Sequence, residues 1–315
     1  MLPYIFKRAV SIIISLLVAS IIIFVIVQIL PGDVAQMILG QYQTPETLHQ
    51  LRESLGLYDP FYVRYVRWIS GILKGDLGIS LSITGCRIAD LLLDRSRNSL
   101  LLAACASLFV IPISLLIGTI AGLKRDTWVD KMVSLTTMVA ISLPEFASGI
   151  FFILIFSLTF KLLPAMSNID TNVDLLRQFP MLILPILTLS LVILGYIARM
   201  TRASVIEVSS SNYVRTAVLM GLPTSNVIVK HILRNALLPS ITVIAMNMGW
   251  LIGGIVVVES VFAFPGLGSL LLYGVMQRDV PLIQASVLFA AAAYMILNFV
   301  ADLLYLFLNP RLRNP

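Results

Sequence analysis

Six apolar stretches, each long enough to cross a lipid bilayer, constrain this 315-residue chain more than any other feature. Residues 9–32, 98–123, 178–198 and 235–258 contain no charged side chain, while residues 132–160 contain only Glu145 and residues 280–308 only Asp302. About 20 apolar residues make a spanning helix, because in hydrocarbon every backbone N–H and C=O must be satisfied within the segment. Composition agrees: 12% of residues are charged and mean hydropathy is +0.96, against about 25% charged in soluble domains. The expected fold is an all-α polytopic membrane protein of about six transmembrane helices. The first stretch follows Lys7 and Arg8, as a signal peptide would. It is too long for a signal core and no A-x-A site follows, so it reads as an anchor.

An even number of spans puts both termini on one side, and Lys/Arg bias chooses the side. The terminal side holds twelve Lys or Arg (7, 8, 124, 125, 131, 199, 202, 215, 230, 234, 311 and 313) against Lys161, Arg177 and Arg278 in the short opposite loops. The seven in the loop of residues 33–97 count little, because loops above about 60 residues escape the rule. Both termini are therefore expected in the cytoplasm. The segments are residues 1–32 (first span), 33–97 (external cap loop) and 98–315 (five further spans), the last containing a cytoplasmic loop at 199–234 and an external region at 259–282.

Several functions are disfavoured. The net charge of +6 is spread beside apolar runs, not clustered as nucleic-acid binding requires. No G-x-x-x-x-G-K-[ST], H-E-x-x-H or G-x-S-x-G pattern occurs, so no ATPase, zinc-protease or serine-hydrolase site is read here and no enzyme is expected. Cys86 and Cys105 imply neither a disulfide framework nor a metal motif, and His49 and His231 lie far apart.

The polar interruptions carry local signals. Thr44-Pro45-Glu46 reads as a helix start, with a capping hydroxyl, proline at the first helical position and an acid at the positive helix end. Leu48, Leu51 and Leu55 follow at helical spacing before Gly56, and a second amphipathic stretch covers residues 61–73. This cap either lies on the membrane surface or serves as a docking platform or lid. In the loop at 199–234, residues 212–217 favour helix and Gly221-Leu222-Pro223 stops it. That segment is either a lever against a cytoplasmic partner or an inert connector.

The last third is more specific. Tyr213-Val214-Arg215-Thr216-Ala217-x3-Gly221-Leu222, followed by residues 231–239 (HILRNALLP), resembles the coupling-loop motif of ABC importer permeases in its dipeptide/oligopeptide/nickel variant. Residues 258–268 (VESVFAFPGLG) and Arg278-Asp279-x-Pro281-x-x-Gln284 resemble that family's external gate region. Residues 298–305 and 309–313 are similar to its last helix and tail. Leu30-Pro31-Gly32-Asp33, Leu55-Gly56-Leu57, Tyr65, Trp68 and residues 75–80 (GDLGIS) are similar to the first of its two permeases, which carries the long external loop. The match departs where the wider importer motif begins Glu-Ala-Ala: Arg215 and Thr216 stand there instead.

The resemblance implies an inner-membrane, binding-protein-dependent permease subunit of a bacterial importer for short peptides, glutathione-like molecules, or nickel and other metal complexes. Its partners would be a second permease, two cytoplasmic ATP-binding subunits, an external binding protein and membrane lipid, with no nucleic acid. The chain would hold no cofactor and no metal; ATP and Mg would belong to the ATPase subunits. Tyr213, Arg215, Thr216, Ala217, Gly221, Leu222 and Pro223 would form the ATPase-coupling segment, and Glu259, Phe262, Phe264, Pro265 and Gly266 the external gate. The competing reading is a passive channel or membrane assembly protein without ATPase partners. Glu145, just after Pro144, is the principal candidate pathway residue: an acid at that depth costs several kcal/mol unless it faces water or a partner. A structural pair or a protonated acid in a helix contact is the other explanation. Asn247 and Trp250 are further pathway candidates, and Asn298 with Asp302 reads as a polar packing pair.

Overall fold

The computed structural model describes residues 2–29, 34–39, 44–54, 56–83, 85–169 and 175–308. Its helices in chain order are α1 (Leu2–Ile29), α2 (Val34–Leu39), α3 (Pro45–Ser54), α4 (Phe61–Leu73), α5 (Ile88–Leu123), α6 (Trp128–Ser142) and α7 (Glu145–Phe152). Then follow α8 (Leu175–Ser209), α9 (Asn212–Leu219), α10 (Thr224–Asn226), α11 (Arg234–Val261), α12 (Leu267–Met276) and α13 (Val280–Leu308). Helix α7 continues as a π-helical segment over Ile153–Thr159, and α10 as another over Val227–Leu233. Among the described residues, five helices are long and apolar enough to cross a membrane, and α6 with α7 and its extension makes a sixth candidate. The chain divides into two compact units, one of residues 1–98 and 266–295, the other of residues 99–265 and 296–315.

In the first unit, Ile23 and Val27 of α1 pack with Ile283 of α13. Ile88 and Leu92 at the start of α5 pack with Leu267, Leu270, Leu282 and Ala285. Helix α4 lies across α1. The Phe24 ring meets Phe61, Tyr65 and Trp68 with centroids 5.1, 5.5 and 5.6 Å away, so about two turns of one α4 face converge on a single side chain. Ser20 and Tyr65 share a hydroxyl hydrogen bond of 2.8 Å. The neighbouring stripe of α4, with Tyr62, Val66 and Leu73, is exposed. The expected start of α3 is present: Thr44 Oγ1 accepts the Thr47 N–H at 3.2 Å, and Thr47 Oγ1 accepts the Thr44 N–H at 2.9 Å. Leu55, assigned to that helix from sequence, lies outside the described residues, and Gly56 turns the chain with φ +64°.

The second unit is built around α8. Leu182, Leu189, Ile193 and Ile197 of α8 form a core with Leu102, Ala106 and Val110 of α5 and with Leu251, Ile255 and Val258 of α11. Gly118 and Gly122 of α5 are the close-approach points against α8: a Cβ at Gly118 would meet the Ala198 carbonyl at 2.5 Å, and one at Gly122 would meet Val205 at 2.7 Å. Small residues four apart permit this packing where no hydrophobic drive exists between membrane helices. Thr201 Oγ1 and Ser240 Oγ, 2.9 Å apart, tie α8 to α11.

Three boundaries differ from the sequence expectation, and the first is the start of α5 at Ile88, inside the residues 33–97 read as the cap loop. The apolar run 132–160 is two helices, and α6 and the α7 segment meet at 108°. Pro144 has no N–H to continue the ladder and drives the residue before it into extended backbone, and Leu143 accordingly has ψ 126°. The region 199–234 is not a loop for its first third. Helix α8 runs on to Ser209, because helical propensity does not stop where the apolar run does and its polar last turns need only leave the hydrocarbon.

Candidate functional site

The segment that resembles the coupling-loop motif is a short helix with a buried root, α9. Val214 and Ala217 are buried with Val205, Val227, Ile232 and Ala236. The Tyr213 hydroxyl accepts a 3.0 Å hydrogen bond from Asn235 Nδ2. Gly221, with φ +75°, closes the helix: its N–H reaches the Val218 carbonyl at 3.0 Å and the Leu222 N–H reaches the Ala217 carbonyl at 3.3 Å, the paired bonds of a glycine C-cap. Pro223 then enters α10. Of the residues singled out from sequence, Ala217 belongs to the root, while Tyr213, Arg215, Thr216, Gly221, Leu222 and Pro223 are exposed. Sequence reasoning passed over Leu219 and Met220, which form an apolar tip 79% and 72% exposed.

Glu145 stands at the first position of α7, directly after the Pro144 break. Its Oε1 is buried and has no hydrogen-bond partner among the described residues. The carboxylate lies against α11, where a Cβ on Gly254 would come within 2.6 Å of it. Asn247 does not join it: its Nδ2 donates back to the Val243 carbonyl of its own helix at 2.8 Å. Trp250 lies in α11 with its side chain outside the described ones, as is that of Asp302. The Asn298 side chain packs against Gly249.

The turn after α11 is packed inside protein. Glu259, Phe262 and Phe264 are fully buried, and Glu259 accepts a short hydrogen bond from Ser99 Oγ of α5. The Phe264 N–H returns to the Glu259 carbonyl at 2.8 Å around Ala263, which has φ +50°. The Phe262 carbonyl accepts the Ser167 N–H at 2.8 Å. Pro265 is half-buried, and Gly266 starts α12, its N–H donating to Ser269 Oγ at 3.0 Å. Irregular backbone at membrane depth is tolerated only when packed in this way.

Two constellations were not assembled from sequence. Arg202 of α8 holds Asp130 of α6 with both ends of its fork, Nε on Oδ1 and Nη2 on Oδ2, the second at 2.8 Å. Asp130 also accepts the Asp126 N–H at 3.0 Å and is 2% exposed. The available signal was an acid and an arginine each bordering an apolar run, but 72 residues separate them. In the other unit, Asp279 is fully buried and gathers the loop at residues 80–82 around its carboxylate.

Spanning helices, a bent pair with a lone acid, and a short, largely exposed helix between two of the spans are the architecture of a polytopic membrane protein. The chain belongs to the family of binding-protein-dependent transport system inner membrane components, which it matches over residues 114–314, and it matches that family's N-terminal region over residues 1–91. It is an inner-membrane permease of the ABC importer class. It is 36% identical over 313 residues to the glutathione transport system permease protein GsiC of Shigella flexneri serotype 5b and to that of Escherichia coli strain K12. It is 35% identical to GsiC of Salmonella paratyphi A, and each comparison covers 99% of both chains.

Proposed function

We propose that this chain forms half of the translocation pathway of an ATP-driven importer for short peptides of about glutathione size, with both termini in the cytoplasm. A second permease supplies the other half, a soluble external binding protein delivers the substrate, and two ATPase subunits, which hold ATP and Mg, drive the cycle. The observation that carries the reading is α9: a helix fixed at its root by Val214, Ala217 and Tyr213, with Leu219 and Met220 left exposed at its tip. A rigid root transmits force, and an exposed apolar tip on a polar face needs a cleft to cover it. The peptide assignment follows the relatives' names, and no observation favours a nickel or metal-complex cargo.

In the cycle, ATP-driven closure of the partner subunits pulls α9, and α8 and α11, which pack with it through Val205 and Ala236, follow. Glu145 lines the pathway and takes a cationic group such as a peptide amine. The buried turn from Glu259 to Gly266 works as part of the external gate. The test is uptake of radiolabelled glutathione into vesicles holding the purified complex with its binding protein. Uptake is expected to require ATP and to stop when the ATPase site of the partner is disabled. Equilibrative uptake without ATP would make the chain a passive channel instead.

A further inference from the structure

Asp279 is a fully buried acid that none of the proposed roles uses. Its Oδ2 accepts hydrogen bonds from Ser80 Oγ at 2.6 Å, Ser82 Oγ at 2.7 Å, Leu81 N–H at 2.8 Å and Ser82 N–H at 2.9 Å. Its Oδ1 accepts the Leu282 N–H at 3.1 Å, the bond of a helix N-cap at the start of α13. One carboxylate therefore does two jobs. It caps the last span with one oxygen and holds the external loop with the other.

The loop is also tied to itself, by the Ser80 N–H on the Cys86 carbonyl at 3.0 Å, the Ile88 N–H on the Gly78 carbonyl at 3.1 Å and the Ile83 N–H on Ser80 Oγ at 3.0 Å, and Asp279 fastens it to the start of α13. Gly78 and Gly85 flank it with φ +82° and +75°, and a Cβ at either would meet nothing within 4 Å. A single antiparallel bridge, Ile79 with Arg87, closes it. The loop leads straight into α5, whose first residues Ile88 and Leu92 pack on Leu267, Leu270 and Leu282. The surface it presents is exposed: Ile79 at 58%, with Lys74, Asp76 and Arg87 exposed around it. Charge-assisted hydrogen bonds are about twice as strong as neutral ones, so a carboxylate with these donors is well suited to hold one conformation of a glycine-hinged loop. Two serine hydroxyls and two backbone N–H groups at the loop's tip all converge on it, whereas capping α13 needs a single bond.

We propose that Asp279 is a positioning residue for transport, presenting the loop around Ile79 in one fixed shape as a docking element for the soluble binding protein. This rests on the importer reading above. The test uses the whole complex in lipid nanodiscs and titrates ATP hydrolysis with its binding protein, purified with the ligand it carries. In Ser80→Ala/Ser82→Ala, which leaves the buried acid and the cap in place, the binding-protein concentration for half-maximal stimulation is expected to rise at least fivefold. The rate at saturation should stay within twofold of wild type. Asp279→Asn should shift the midpoint in the same direction, and Ser82→Thr, which keeps the hydroxyl, should restore the wild-type midpoint. A merely structural role would lower yield or maximal rate without moving the midpoint, and an unmoved midpoint in both altered complexes overturns the proposal. A wild-type complex that ignores the binding protein altogether overturns the importer reading, and this proposal with it.

Discussion

The carboxylate of Glu145 occupies the space that a side chain at Gly254 would fill: a Cβ there would lie 2.6 Å from Oε1 and 2.8 Å from Oε2. The adjacent Gly253 faces open space, with nothing within 4 Å of its Cβ position. Gly254→Ala should therefore displace the flexible end of Glu145 rather than break the helix pair. Folded yield is expected to match wild type, while uptake falls as it does when the acid itself is altered. Gly253→Ala should be silent in both assays. Equal behaviour of the two alanine variants would show that the glutamate and glycine are not coupled.

Glu145→Gln keeps size and removes charge. Uptake of peptides with a free amine is expected to drop about tenfold, the equivalent of about 1.4 kcal/mol, while N-acetylated peptides are taken up at the wild-type rate. Competition assays with the paired peptides check this. Equal effects on both peptide sets would mean that the acid serves packing and not the pathway.

Asp130 and Arg202 form a paired charge whose acid is buried and whose arginine side chain is 28% exposed. Breaking one partner leaves the other uncompensated at a helix interface, at a cost of about 3 kcal/mol. Asp130→Ala should lower the midpoint of thermal aggregation in detergent. The double variant Asp130→Leu/Arg202→Met should lie closer to wild type than either single change, because neither charge is then stranded.

Gly221 has φ +75° and nothing within 4 Å of its Cβ position, so a side chain there meets no clash inside this chain. The left-handed backbone alone costs about 1–2 kcal/mol for another residue. Gly221→Ala should fold with modest loss. Gly221→Trp places bulk beside the Leu219 and Met220 tip, and is expected to uncouple the complex: basal ATP hydrolysis persists while substrate-stimulated hydrolysis and uptake are lost. Full stimulation in the tryptophan variant would remove α9 from the coupling path.

Much of this was legible along the chain because the signals are local. Gly221-Leu222-Pro223 specifies a helix stop by backbone geometry alone, and Thr44 specifies a start by reaching only three residues ahead. Pro144 stands in plain view in the apolar run, but the 108° bend it marks was not legible as an angle. Proline removes one hydrogen bond and fixes one torsion; how far the two halves then diverge depends on what each packs against. Asp279 stood in a motif similar to the external gate region, yet its partners Ser80 and Ser82 lie nearly 200 residues earlier. No periodicity or propensity spans that interval.

The sequence by itself determined that the chain is solvated by a bilayer, that it holds about six apolar spans, and that a short helix interrupts them between residues 212 and 223. These follow from transfer free energy and from local backbone chemistry, which act within about 20 residues. Only the tertiary structure decided that Arg202 holds Asp130, that Glu145 fills the space over Gly254, and that Asp279 gathers the loop at residues 80–82. A charge in an apolar setting must find a partner or a polar lining, but which one is set by the packing of helices that the chain reaches only after folding.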